Sequence, residues 1–117
     1  MSYQEDSIDW QAVRDIDVWL DSNVSQLYKD QPLVQDWARI AKASEEIGEA
    51  INKLILYTGQ NPRKLFNHDD ETRHRMLTEM AQTALTGILG IQHFTKDTSE
   101  TRDILQTALR NLEVRIR

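Results

Sequence analysis

Pro32 and Pro62 are the only prolines in a chain of 117 residues, and of its four glycines only Gly59 lies close to either of them. Proline removes a backbone donor and biases the residue before it away from the α region, so these positions punctuate the chain. Between and beyond them apolar residues recur at helical spacing, and no stretch of strict apolar/polar alternation is bounded by turn residues. The sequence therefore reads as all-α throughout.

Four helices follow from the pattern. The first runs from Asp9 to Ser22, with Ser7 or Asp9 as N-cap, Val13, Ile16 and Leu20 on one side and Trp10 and Trp19 flanking. Asp30-Gln31-Pro32 opens the second, because proline is tolerated in a first turn; its apolar series passes Trp37, Ile40, Ile47, Ile51, Leu54 and Ile55 to about Tyr57. Gly59 closes it, and Gly59-Gln60-Asn61-Pro62 begins a loop that lasts to about Asp69. A third helix carries Met76, Leu77, Met80, Ala81, Ala84, Leu85, Ile88 and Ile91 to Thr95. Thr98 or Ser99 caps a fourth, whose stripe is Ile104, Leu105, Ala108, Leu109, Leu112 and Ile116. The two central helices, each about 25 residues with one loop between them, are expected to form an antiparallel hairpin in a single domain over residues 1–117. A hairpin whose helices are apolar on one face leaves that face exposed, so a bundle closed by oligomerisation, as a homodimer or homotetramer, is expected.

Composition narrows the chemistry. There is no cysteine, which removes disulfides, thiolate metal sites and cysteine nucleophiles. Fourteen Lys and Arg against nineteen Asp and Glu leave a net charge of −5, the wrong sign for a surface that neutralises the phosphates of a duplex, so bulk nucleic acid is not an expected partner. No run of about 18 apolar residues occurs, and Glu5, Asp6 and Asp9 stand where a signal peptide would carry positive charge. The expectation is a cytoplasmic protein with no membrane partner. His68, His74 and His93 lack zinc-site spacing.

The acids are more informative. A helical period sets Ile40, Ser44, Ile47, Ile51 and Leu54 on one side of the second helix and Lys42, Glu46, Glu49 and Lys53 roughly opposite, with Glu45 beside them. On the third helix Glu79, Gln82 and Thr86 share a face apart from the main apolar stripe. Glu46 and Glu49 lie one turn apart and can ligate one cation or two neighbouring ones; Mg²⁺, which takes hard oxygen ligands and shares its sphere with phosphates, suits such a pair. The alternative at this level is a solvated face, since Lys42–Glu46 and Glu49–Lys53 are both i, i+4 pairs.

The segment Trp37-Ala-Arg-Ile-Ala-Lys-Ala-Ser-Glu45-Glu46-Ile-Gly48-Glu49-Ala50, then Gly59-Gln60-Asn61-Pro62-Arg63-Lys64, then Glu79-Met-Ala-Gln82 and the Ile91-Gln92-His93-Phe94 ending, resembles the MazG-like family of all-α nucleoside triphosphate pyrophosphatases. The resemblance covers roughly residues 33 to 97. It implies an E-x-x-E pair on one helix and an E-x-x-D pair on the next, together holding Mg²⁺, or Mn²⁺, at a triphosphate. Glu46 and Glu49 match the first pair, Glu45 is the neighbouring family acid, Glu79 opens the second pair, and Gln82 stands where the family has Asp. The implied reaction is attack of a water activated by the metal between the α- and β-phosphoryl groups, giving a nucleoside monophosphate and pyrophosphate, with Glu46 or Glu49 as the base. Lys53, Arg63 and Lys64 are the candidates for binding substrate phosphates. Gln offers a metal a neutral carbonyl and no charge. Three outcomes therefore stay open: an active site with fewer or weaker metals, one repaired by another acid such as Asp97, and a catalytically silent helical module that keeps the fold and binds nucleotide or protein. Trp37, in the apolar series, is expected in the core, His93 at a helix end or core edge, and Met76 and Met80 between helices.

Overall fold

A computed structural model describes residues 8–23, 30–59 and 67–116 as four α-helices and their connections, with no strand among these residues. They are α1 (Trp10–Ser22), α2 (Pro32–Thr58), α3 (Asp70–Thr95) and α4 (Thr98–Arg115). Each boundary has a local cause. Asp9 caps α1 by accepting from the Ala12 amide at 3.0 Å. Pro32 occupies the first turn of α2, and Gly59 ends that helix in the left-handed region at φ 68°, its N–H donating to the Ile55 carbonyl. Asp69 caps α3 through the Thr72 amide at 2.7 Å, a bond that holds the Asp69 carboxyl below the usual aspartate range.

The start of α4 differs from the sequence expectation. The cap is Asp97, not Thr98 or Ser99: in an extended conformation its carboxylate accepts from the Ser99 and Glu100 amides, so Thr98 is already helical. That role also removes Asp97 as a substitute metal ligand. It lies beyond the end of α3, and sixteen residues of helix, about 24 Å of rise, separate Glu79 from Thr95.

The largest interhelical contact joins α2 and α3, with α1 and α4 packed on α3 and touching each other. Asp36 near the start of α2 meets His93 near the end of α3, while the Asn67 amide just before α3 donates to the Leu56 carbonyl near the end of α2. At the α3–α4 turn Thr101, fully buried, donates to Gln92 Oε1 at 2.8 Å and shares a second bond with Thr95. Arg102 of α4 lies 5.3 Å from the Trp10 ring centroid.

Among the described residues Val13 is the only buried large apolar side chain; the other buried residues are Asp17, Glu46, Thr72, Gln92 and Thr101. The expected stripe of α2 is not a core within one chain. Ile40, Ile47, Ile51 and Leu54 are between 39% and 56% exposed, because α3 packs against the flank that carries Ala43, Glu46 and Ala50 rather than against the stripe's centre. Leu77, Met80 and Leu85 of α3, Leu109 and Leu112 of α4, and Ile116 at the C-cap of α4 are likewise exposed. Trp37, expected in the core, is 73% exposed: two residues from Arg39, it sits roughly 160° around the helix from that inward position.

Candidate functional site

The helical period places Glu46 and Glu49 one turn apart on the flank of α2 that meets α3, and it places Glu79 on the facing flank of α3. One carboxylate oxygen from each lies within 4.8 Å of the other two. Their environments differ. Glu46 is 8% exposed, Glu79 half-buried and Glu49 open to solvent.

Lys42, one turn before Glu46, lies 3.5 Å from Glu46 Oε1 and 3.1 Å from Glu45 Oε2. The hydrogen bond to Glu45, with a further contribution from Glu46, raises the Lys42 pKa above its ordinary value. Glu46 Oε2 and Glu79 Oε2 are buried and have no hydrogen-bond partner. Folding usually satisfies buried polar atoms, and a carboxylate oxygen without a donor beside other carboxylates is costly. Two such oxygens on acids of one cluster, where Lys42 is the one cation in an ion pair among the described residues, make a donor set of hard oxygens that suits a small divalent cation.

The remaining expected site residues fall as follows. Glu45 stands outside the cluster, its side chain 57% exposed and engaged by Lys42. Gln82 is one turn from Glu79 on the same flank of α3 and is exposed. Lys53 is half-buried one turn beyond Glu49, and neither residue makes an ion pair among the described residues, so the expected Glu49–Lys53 pair is absent there. Arg63 and Lys64 lie outside the described residues.

A second charged group was not anticipated from the sequence. Asp17, 2% exposed on α1, accepts from Arg39 Nη2 at 2.7 Å and from Lys96 Nζ at 2.9 Å, and Asp21 accepts from both cations as well. His93 donates from Nε2 to Asp36 Oδ1 at 2.7 Å, and its Nδ1 is 3.5 Å from Asp21 Oδ1. Burial alone would raise the Asp21 carboxyl; the bonds from Lys96 and Arg39 outweigh it and hold the group below its ordinary value. Burial likewise opposes the charge on Lys96, and its bonds to Asp21 and Asp17 outweigh that and raise its pKa. Asp17, Asp21 and His93 also have ligand atoms within 4.8 Å of one another, but two cations already occupy those carboxylates, so the group is an electrostatic clasp between α1 and the α2–α3 pair. The available signal was the spacing: Asp17 and Asp21 fall on the side of α1 that carries Val13 and Leu20, where a carboxylate needs a partner.

Compared with protein-family models, with curated proteins and with solved structures, the chain matches none.

Proposed function

We propose that this protein is a Mg²⁺-dependent nucleoside triphosphate pyrophosphohydrolase of the MazG-like type, cytoplasmic, with α2 and α3 as an antiparallel hairpin completed by at least one further copy of the chain. The observation that carries the reading is the pair of buried, partnerless oxygens, Glu46 Oε2 and Glu79 Oε2, within one three-carboxylate cluster. The order of contacts along α2 and α3 favours the hairpin. The exposed apolar faces favour the partner copy.

Glu46, Glu49 and Glu79 would hold the cation, with Gln82 one turn away able to add a neutral oxygen. Once bound, the cation supplies charge neutralisation at the triphosphate and a lowered pKa for a coordinated water. Glu46, held between helices, orients. Glu49, exposed and free of an ion pair among the described residues, is the better placed of the two to accept a proton. Lys42 neutralises Glu45 and Glu46 and stands ready for phosphate oxygens, and half-buried Lys53 lies one turn beyond Glu49 on α2.

A second reading rests on Gln82: a helical module that keeps the cluster, binds nucleotide or protein, and does not turn over. Pyrophosphate release from a panel of standard and modified nucleoside triphosphates with Mg²⁺ or Mn²⁺ separates them. Release that Glu49→Gln abolishes supports the hydrolase. Absence of release from every substrate, with release appearing in Gln82→Asp, supports the silent module.

A further inference from the structure

Helix α1 is fastened to the rest of the molecule by charge more than by apolar burial. Val13 is its only buried apolar side chain among the described residues, and Ile16, Val18 and Trp19 are exposed. Between α1 and the α2–α3 pair lies a cavity of about 420 Å³, with Ile16, Leu20 and Asp21 on one wall and Gln35, Arg39 and Leu89 on the other, so close packing does not seat the helix there. What spans the gap is polar: Arg39 of α2 and Lys96 at the end of α3 both donate to Asp17 and Asp21.

One titratable side chain of this group stands apart from the carboxylate cluster. His93, near the end of α3 with its side chain 10% exposed, stands where α1, α2 and α3 meet. Nε2 donates to Asp36 Oδ1 of α2 at 2.7 Å, whereas Nδ1 is buried with no hydrogen-bond partner, 3.5 Å from Asp21 Oδ1 of α1. In the neutral ring whose hydrogen is on Nε2, Nδ1 carries a lone pair, and here that lone pair faces a carboxylate oxygen, one acceptor set against another. A second proton, on Nδ1, turns the same contact into a charge-assisted bond. The surrounding charges point the same way. Asp17 and Asp21 from α1 and Asp36 from α2 are three carboxylates, Arg39 from α2 and Lys96 from α3 are two cations, and no charged side chain of α4 forms an ion pair with any of them among the described residues. An imidazolium evens the count.

We propose that His93 is a proton-operated latch: protonated on Nδ1, it bonds Asp21 and Asp36 together and draws α1 onto the α2–α3 pair; neutral, it leaves α1 held by Arg39 and Lys96 alone. Because α1 forms one wall of the cavity, the latch sets how firmly that cavity is closed. Histidine is the side chain whose charge changes near neutral pH, and across that range Asp21, held low, and Lys96, held high, keep theirs, so neither masks the ring's response. The charged ring finds two carboxylates in the folded chain and none in the unfolded one, so its stabilisation is present on the acid side and is lost as pH rises. The latch needs neither metal nor substrate, and it stands whether or not the carboxylate cluster hydrolyses anything.

Long-range ¹H–¹⁵N NMR of the imidazoles reads the ring directly, and amide hydrogen exchange, corrected for its intrinsic pH dependence, reads how often α1 opens. From about pH 8 to about pH 5.5, His93 Nδ1 should gain a proton and exchange in α1 should slow by about tenfold relative to α2 and α3. His93→Gln, which keeps a donor for Asp36 and cannot be charged, should abolish that slowing while the helical circular dichroism is unchanged, and Asp21→Asn should abolish it as well; His68 and His74 are present in both variants and serve as the internal control. A bare Nδ1 at about pH 5.5, a proton on Nδ1 with no change in α1 exchange, or slowing that persists in either variant overturns the latch. Should a variant fail to fold, the wild-type measurements decide: ring and α1 changing together over one pH range support the latch, and a change in one without the other overturns it.

Discussion

Replacing Glu46 by glutamine separates a cation site from a decorated surface, because the two give opposite signs. Glu46 has two carboxylate neighbours within 4.8 Å and one ammonium at 3.5 Å. With an effective dielectric of roughly 40, between a protein surface and bulk water, each acid repels it by about 1.7 kcal/mol and Lys42 attracts it by about 2.4 kcal/mol. Lys42 is half exposed and shared with Glu45, which reduces its share. The net is about 1 kcal/mol unfavourable without a cation, before the isolated Oε2 is counted. Glutamine has the same shape and no charge, so in chelator Glu46→Gln should raise Tm by about 3–5 °C for a domain of this size. Magnesium reverses the order. A site filled at a hundred times its Kd gains about 2.7 kcal/mol by mass action, which the variant loses. Differential scanning fluorimetry of both proteins, in EDTA and across a Mg²⁺ series, should show the melting curves cross. A variant that melts below the wild type in EDTA, with Mg²⁺ moving both equally, would refute the argument, since that is how a plain Lys42–Glu46 surface pair behaves.

Gln82→Asp adds a fourth carboxylate to the flank and should tighten Mg²⁺ binding by about tenfold, read by titration calorimetry, while lowering Tm in chelator; no change in either would remove position 82 from the site. Asp17→Asn leaves Arg39 and Lys96 with a neutral partner at a buried position and should destabilise by about 2–4 kcal/mol in urea unfolding; a loss below about 0.5 kcal/mol would show that the clasp does not hold α1. The clasp also fixes a pH window. Asp21 is held low, so its contribution is complete above the unfolded aspartate value near 4 and is lost as pH falls through its lower folded value. Lys96 is held high, so its contribution is complete below the ordinary lysine value and fades as pH rises through the folded one. Unfolding free energy should therefore fall as pH drops below about 4, and Lys96→Gln should flatten that slope; an identical slope in the variant contradicts the assignment. Light scattering should find a dimer or larger assembly that Ile51→Glu dissociates, and a monomeric wild type would remove the partner copy.

The helices were legible because their punctuation is local: Pro32, Gly59 and Asp69 act on their own turn, and nothing distant changes what they do. Asp97 was missed as a cap because Asp, Thr and Ser stand in sequence there, and only backbone geometry decides which one precedes the helix. Glu46, Glu49 and Glu79 were legible as face-sharing acids, since a helical period fixes faces. That Glu46 would be buried was not, because the period does not say which flank of the apolar stripe α3 will choose. The same choice put Trp37 outside. The clasp was illegible for a different reason: Asp17 and Lys96 are 79 positions apart, and no local rule pairs them.

Lys96 adopts a left-handed backbone, φ 54°, a conformation that costs a non-glycine residue about 1–3 kcal/mol. Glycine would sit there more comfortably, yet only a long cation spans from that turn to α1. Contacts so remote along the chain form late, because the entropy of closing the intervening loop must be met first. The Lys96 ammonium reaches Asp17, 79 positions earlier, so one residue held in an unfavourable backbone state ties the end of α3 to α1.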